Sequence, residues 1–466
     1  MLFVWNSNYY TGNFFMSESM GLATITCRDK IRIKRYETAI VLAIAGLYFF
    51  SFIQRVGIPG AIFNDLQSEM NLDAMVVTRL GAIYMLIYAV MQPFAGLLAD
   101  RFGGIRVVLT SGLLLVIGAT LFPVSHSIDG LYSSRVLVGL GSCAMFLCMF
   151  KEAHHSFSGK HFTVIVGFLS LIGYCGGLAG TRPFRMLSDI GGWRNACLGI
   201  AAGTAVLLGM TWWLSRKVDR SIPRQMAGNA WSNTVAVLTN RLNYPVMLTF
   251  AFSASVSLCL QMTIGQKFIE DFCAITALEA SGITFTMMLF TMAALPVCGI
   301  VCKVFNNRRN PFLIFVAAAA VAGIVMILIG IYFKMPSWYF LCAFIPPALG
   351  SGCTPVILSM MKEHNRPNAV ATSVGLLNAA AYVMIALTSQ VTGMVLDWFD
   401  NQVLITAKSK IYPPAAYVVL FSILLTISLI ALVSSFFSRE TYGRSQEAQL
   451  DLIKVDPEGK TLCGEV

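Results

Sequence analysis

The sequence has little charge. Only 12% of its 466 residues are Asp, Glu, Lys or Arg, about half the ~25% of a soluble domain. Apolar residues make up 56% and mean hydropathy is +0.71. An ordinary soluble globule is excluded. The chain also lacks any C-x-x-C, so its twelve cysteines offer no zinc or redox spacing. Cys143, Cys148, Cys259 and Cys342 fall inside apolar runs, where a free thiol behaves as a small hydrophobe. There is no secretory signal core: Met1–Trp5 is too short and is followed by Asn-Ser-Asn. Acids are missing from the middle of every long apolar run.

Those long apolar runs are what the chain does have. About 20 residues of helix cross ~30 Å of hydrocarbon at 1.5 Å per residue. Backbone groups in lipid must be satisfied within the segment, so such runs are helices. Twelve are expected, at 38–59, 79–98, 106–124, 131–150, 162–182, 194–214, 243–265, 277–300, 311–333, 338–360, 369–396 and 414–437. The longest gap, 215–242, follows the sixth. It holds Arg216, Lys217, Arg220, Arg224 and Arg241 and reads as a linker between halves. The expected organisation is an N-terminal segment 1–37, a six-helix bundle 38–214, the linker 215–242, a second bundle 243–437 and a polar tail 438–466.

The formal charge is +10, but the basic residues lie between spans, so they orient the chain rather than bind nucleic acid. With the N-terminus inside, 23 of the 33 Lys and Arg fall on the cytosolic side and 7 on the other. Both termini are therefore expected in the cytosol.

Between the second and third spans lies Gly96-Leu-Leu-Ala-Asp-Arg-Phe-Gly-Gly-Ile-Arg106, a short charged link with three glycines. Within the fourth lies Arg135-Val-Leu-Val-Gly139-Leu-Gly141. Before the sixth lies Gly191-Gly-Trp-Arg194. The first resembles the G-x-L-a-D-r-x-G-x-r/k signature of the major facilitator superfamily, the second its R-x-x-x-G-x-G fourth helix, and the third its G-W-R. The resemblance covers 38–437. It implies an all-α membrane protein of twelve transmembrane helices in two pseudo-symmetric six-helix bundles, with a site between them. It also implies a transporter and no enzyme, cofactor, metal or catalytic residue. A looser likeness points to the sugar-phosphate and organic-anion permease branch.

By resemblance, Gly96, Asp100, Arg101, Gly103, Arg106, Arg135 and Gly139 form a cytoplasmic gate. Asp100 would sit at the positive N-terminus of the eleventh helix, near Arg366-Pro367-Asn368. The plainer reading is a solvated hairpin, with Arg135 snorkelling to the interface. An echo at Gly299–Arg309, offset by 203 residues, puts Lys303 in the place of Asp100. The fifth span, with Gly173, Gly176, Gly177 and Gly180, lacks the G-P pair of the superfamily's drug/proton antiporters.

The cargo question falls on Arg55, about 25 Å of helix rise from Thr38. An intramembrane arginine is expensive and by default functional, and a guanidinium suits carboxylate or phosphate. In related anion carriers an arginine here binds substrate. The plainer alternatives are snorkelling to the outer interface or an ion pair with Asp65 or Glu69. Organophosphate exchangers carry a second arginine in the seventh helix. The position at offset 203 is Leu258, and Lys267 reads as lying at the membrane edge. One arginine suits a singly charged carboxylate or a zwitterion better than a phosphate dianion. Gln54, Tyr84, Tyr88, Gln261, Asn378, Tyr382 and Gln390 are the neutral polar candidates for the rest of the site. Arg182 and Arg185 read as a solvated turn, and the histidines 154, 155 and 161 as a solvated loop rather than a metal site.

The expected partners are thus a small anionic substrate, a coupling proton or other ion, and the bilayer, with no nucleic acid and a monomeric state. The expected place is a bacterial inner membrane. Amino-acid, peptide, drug and organophosphate carriers remain alternatives within transport, and a ligand sensor on the same fold outside it.

Overall fold

The computed structural model describes residues 27–156, 162–218, 230–366, 369–405 and 410–442. Eleven helices in it are long and apolar enough to cross a membrane, and the apolar helix around Phe168–Ala179 makes a twelfth. In chain order they are α1 (Cys27–Val56), α2 (Ala74–Phe102), α3 (Gly104–Val124), α4 (Ile128–Ala153), α5 (Phe162–Ala179) and α6 (Trp193–Ser215). The second set is α7 (Asn243–Cys273), α8 (Ala277–Val304), α9 (Asn310–Tyr332), α10 (Ser337–Glu363), α11 (Val370–Trp398) and α12 (Pro414–Ser435). Short helices at Phe63–Met70, Arg182–Gly191 and Ala230–Thr239 and a two-stranded pair (Leu404–Ile405 with Lys410–Ile411) lie between them.

Local chemistry sets the ends. Gly103 takes φ +86° between α2 and α3, a conformation open to glycine at little cost. Gly192 does the same at φ +80° before α6. Thr276 and Glu279 form a reciprocal capping box at the start of α8. α7 carries a π-helical turn, Leu260–Ile264, and continues to Cys273. The expected end at 265 is therefore corrected, and Glu270 and Asp271 lie on a helix read as ending before them.

The apolar core is shared between halves on one face. Ile62, Phe63 and Leu66 pack in one cluster with Phe268, Leu396 and Tyr412. Toward the opposite face, which carries the 96–106 hairpin, a cluster of the second half (Val246, Phe312, Ile357, Met360) stands apart from the first half's (Val108, Leu115, Met149, Ala153). The first half's cluster meets α7, α8 and α11 through Met262, Met288 and Ile385.

Apart from one bond at the central cavity, the hydrogen bonds that join the halves among the described residues follow the same division. Arg79 Nε donates to Gln390 Oε1 at 3.3 Å, the Met75 N–H to Asp397 at 3.1 Å, and Gln67 Nε2 to the Tyr412 hydroxyl at 3.1 Å. These belong to the face of residues 57–73. Large apolar side chains such as Val206, Ile300 and Trp398 are exposed on the outside, 64–79% by residue. That is where lipid tails would be their solvent.

Candidate functional site

Between the halves lies a cavity of about 700 Å³, within the range of small-molecule sites. Its wall is mostly apolar and aromatic: Tyr48 and Phe52 of α1, Tyr88 of α2, Tyr174 of α5, Met288 of α8 and Tyr382 of α11. Arg55 is the only charged side chain among the described residues that line it.

Arg55 is held by aromatic groups rather than by an acid. Its Nη1 donates to the Tyr382 hydroxyl at 3.0 Å and its Nε to the Tyr84 hydroxyl at 3.3 Å. Its guanidinium carbon stands 4.4 Å from the Tyr88 ring centre and 4.6 Å from that of Phe52, close enough for cation–π attraction. Only 4% of the residue is exposed, and Nη2 is buried with no hydrogen-bond partner. The ion-pair alternative does not hold. Asp65 pairs with Arg185, and Glu69 pairs with Arg194 at 2.6 Å.

The other candidates divide. Tyr88, Gln261, Asn378 and Tyr382 line the cavity with Arg55. Gln261 sits in the π turn of α7, and its Nε2 approaches Met288 Sδ at 2.8 Å. Tyr84 is fully buried behind Arg55 and does not line the cavity. Gln54 is buried away from it with both side-chain polar atoms unpartnered. Gln390 is also apart from it, as the acceptor of Arg79 in the closed contact between halves. Leu258 lines the cavity, so the pseudo-equivalent of Arg55 presents no charge there.

Tyr48, Phe52 and Tyr174 were not among the sequence candidates. Tyr48, Phe52 and Arg55 stand at i, i+4 and i+7 and so share one helix face. That spacing was the available signal.

The hairpin and α4 residues have distinct surroundings. Arg135 is fully buried, which rules out snorkelling. It donates to the carbonyls of Gln54, Ile58 and Leu80 at 3.2–3.3 Å and lies 4.7 Å from the Tyr84 ring centre. It thereby ties α4 to α1 and α2 beneath the Arg55 cage. A Cβ at Gly139 would meet Ile87 at 3.1 Å, and one at Gly141 the Leu115 backbone at 2.4 Å. A Cβ at Gly96 would meet nothing within 4 Å, so no neighbouring helix packs closely there in this conformation. Arg101 and Arg106 are exposed. The side chains of Asp100, His154 and His155, and residues 161 and 367–368, lie outside what the structure describes.

Other expectations are corrected by burial. Arg185 is not solvated. It lies on the Arg182–Gly191 helix, buried against Asp65 and Asp189. Burial alone would lower its pKa, but the two carboxylates raise it further and keep it charged. Trp193 is buried and donates to Glu69 beside Arg194, so the G-W-R segment is a packed corner. Burial tends to raise the Glu69 pKa, but the Arg194 and Trp193 hydrogen bonds outweigh it and hold that carboxyl below its usual range. Lys267 is fully buried within the protein and is paired with Asp271 at 2.7 Å. Among the described residues no cluster of metal-binding side chains occurs.

Two six-helix bundles around a central cavity define a multi-pass integral membrane protein of the carrier type. Residues 44–389 match the Major Facilitator Superfamily. The chain belongs to that family, a family of transporters and not of enzymes. It is 26% identical over 215 residues to the "putative multidrug resistance protein MdtD" of Pectobacterium atrosepticum, covering 43% of this chain and 44% of that protein. It is 29% identical over 161 residues to human monocarboxylate transporter 7, covering 34% of this chain and 30% of that one. The matched segments thus span less than half the length of these curated relatives. Among solved structures, a point mutant of the nucleoside transporter NupG superposes with TM-score 0.69 at 12% identity, over 85% of this chain and 99% of that one. A bacterial homologue of the human lysosomal transporter Spinster, inward-facing and unoccupied, superposes with TM-score 0.68 at 16% identity, over 88% and 96%.

Proposed function

We propose that the chain is a secondary transporter that moves a small organic anion of carboxylate type by alternating access. The observation that carries this reading is Nη2 of Arg55, a buried, unpartnered donor on the one charged side chain that lines an apolar cavity among the described residues. A buried donor left unmade costs about 1–3 kcal/mol, and an entering carboxylate relieves that cost. The end fork of the guanidinium, Nη1 with Nη2, matches a carboxylate edge. Binding there takes the place of the Tyr382 hydroxyl on Nη1. The aromatic walls suit an apolar body behind the anionic group, and Gln261 and Asn378 supply polar contacts.

The family's carriers work through two rigid halves. In the proposed orientation both termini and the 96–106 hairpin face the cytosol of a bacterial cell. The face of residues 57–73 is then the closed outer one, and the cavity is open inward. Asp100, Arg101 and Arg106 latch the cytosolic side when the cavity faces outward, and Arg135 transmits the position of α4 to α1 and α2. The bundles are 38–214 and 243–437, and the carrier acts as a monomer.

An organophosphate exchanger is the weaker reading, because Leu258 stands where a second cation is needed. An amino-acid carrier needs an acceptor for the ammonium group, and no carboxylate lines the cavity among the described residues. A drug carrier draws support from the apolar wall and from the MdtD likeness.

A thermal-shift screen of the purified protein separates these readings, since a ligand that binds the folded state raises apparent stability by mass action. Aromatic and aliphatic monocarboxylates are expected to stabilise it. Stabilisation by neutral or cationic drugs alone would overturn the anion reading.

A further inference from the structure

We propose that Glu270 is a proton-binding site, and that proton uptake there favours closure of the face carrying residues 57–73. The proposal rests on the alternating-access part of the proposed function and does not depend on what Arg55 binds.

Glu270 sits where the halves meet. Its carboxyl accepts Asn64 Nδ2 from the first half and Gln266 Nε2, at 2.8 Å, from its own helix. Gln266 also reaches the Ala61 carbonyl of the first half at 3.5 Å and that of Ala277 at 3.4 Å. Glu270 is partly buried, and among the described residues no lysine or arginine lies within ion-pair distance of it.

The neighbouring charges are already committed. On its own helix Lys267 is taken by Asp271, which also accepts from the Tyr417 hydroxyl at 2.6 Å and the Tyr412 N–H at 3.1 Å. On the first half Arg185 is taken by Asp65 and Asp189. α8 brings Glu279, exposed and bound to its Thr276 cap. α10 brings Phe340 against Phe268. The Lys410–Ile411 strand brings Lys410, whose carbonyl accepts from Lys267 and whose ammonium pairs with Asp73 and Asp400. Arg185 is thus shared by Asp65 and Asp189 and Lys267 is taken by Asp271, so among the described residues Glu270 has no cation of its own.

A carboxylate taken from water without a cation is held at a cost. Burial favours its neutral form. When the halves part on this face, the same group meets water and the cost vanishes. The closed form therefore binds the proton more tightly. By linkage, protons draw the equilibrium toward closure and their loss releases it. Glu270→Gln mimics the neutral form, since an amide donates and accepts without charge.

The test is hydrogen–deuterium exchange of the full chain in lipid nanodiscs, with no substrate, from pH 5.5 to 8.5 and corrected for intrinsic exchange. The segments 57–73 and 264–276 are expected to exchange at least fivefold more slowly at the acid end. Glu270→Gln is expected to keep them protected throughout. Asn64→Ala removes one donor from the carboxylate and should move the midpoint to higher pH; it carries the test if Glu270→Gln does not fold. Protection independent of pH in the wild type, or variants that follow the wild-type curve, would overturn the proposal. A preserved pH response with no anion bound at Arg55 would count against the substrate reading alone.

Discussion

Replacing Tyr382 by Phe tests how Arg55 meets an anion, and the expected sign is unusual. The change removes one hydroxyl and leaves the ring in place, 4.8 Å between centres from Tyr88. In the empty protein that hydroxyl accepts from Arg55 Nη1 at 3.0 Å and so ties α1 to α11. A hydrogen bond to a charged group is worth about 1.5–3 kcal/mol. The lower figure applies here, because Nη1 keeps nearby aromatic rings. If the carboxylate takes the Nη1–Nη2 edge, the bound state has already given up the Tyr382 bond and loses nothing by the substitution. The empty state alone is raised by about 1.5 kcal/mol, which makes binding roughly tenfold tighter. Titration calorimetry with a carboxylate found in the thermal-shift screen measures this. Tyr84→Phe serves as the control. Its hydroxyl holds Nε from behind the cavity wall, so its loss should not tighten binding. A tenfold loss of affinity in Tyr382→Phe would refute the displacement argument and make the hydroxyl a substrate ligand.

Three further outcomes are expected. Lys267→Met leaves Asp271 buried without its cation, which should cost about 3–5 kcal/mol and appear as a lower midpoint in denaturant or heat. Removing both charges with Lys267→Met and Asp271→Leu should recover part of that loss. Arg135→Met strips the side-chain donor from the carbonyls of Gln54 on α1, Ile58 just after it and Leu80 on α2. At about 1–3 kcal/mol per orphaned group it should lower the unfolding midpoint more than any single substitution of the exposed Arg101 or Arg106. Asp100→Asn should slow net transport in liposomes with little change in equilibrium affinity, and a collapse of affinity alone would move Asp100 from the gate to the binding site.

The fold was legible because the bilayer imposes one length and one conformation on every crossing. The expected span 311–333 and the observed Asn310–Tyr332 differ by one residue at each end. α1 and α7 differ more, and for a physical reason. α1 starts at Cys27 in a basic, polar stretch, and α7 runs on through Lys267, Glu270 and Asp271. Hydropathy stops at such residues, but a helix can continue through them, as α7 does where Asp271 takes the charge of Lys267. The same blindness hid the seam acids and made Arg185 look solvated.

The site was legible where one residue type decides it. Arg55 is conspicuous as a charge among aromatics, and Tyr88, Gln261, Asn378 and Tyr382 share its cavity. Gln390 and Tyr84 could not be sorted from these by type, because side-chain chemistry does not report which face of a packed helix a residue occupies. Tyr48 and Phe52 required the helical spacing to Arg55, and Tyr174 required the packing of α5 on α1.

The most direct test of the central claim is counted flux. Wild type and Arg55→Met are reconstituted side by side in liposomes, with uptake of a labelled monocarboxylate followed over time and matched apparent melting temperatures confirming that both are folded. Saturable uptake by the wild type and its loss in Arg55→Met is the predicted result. Equal uptake by the two proteins would contradict the account.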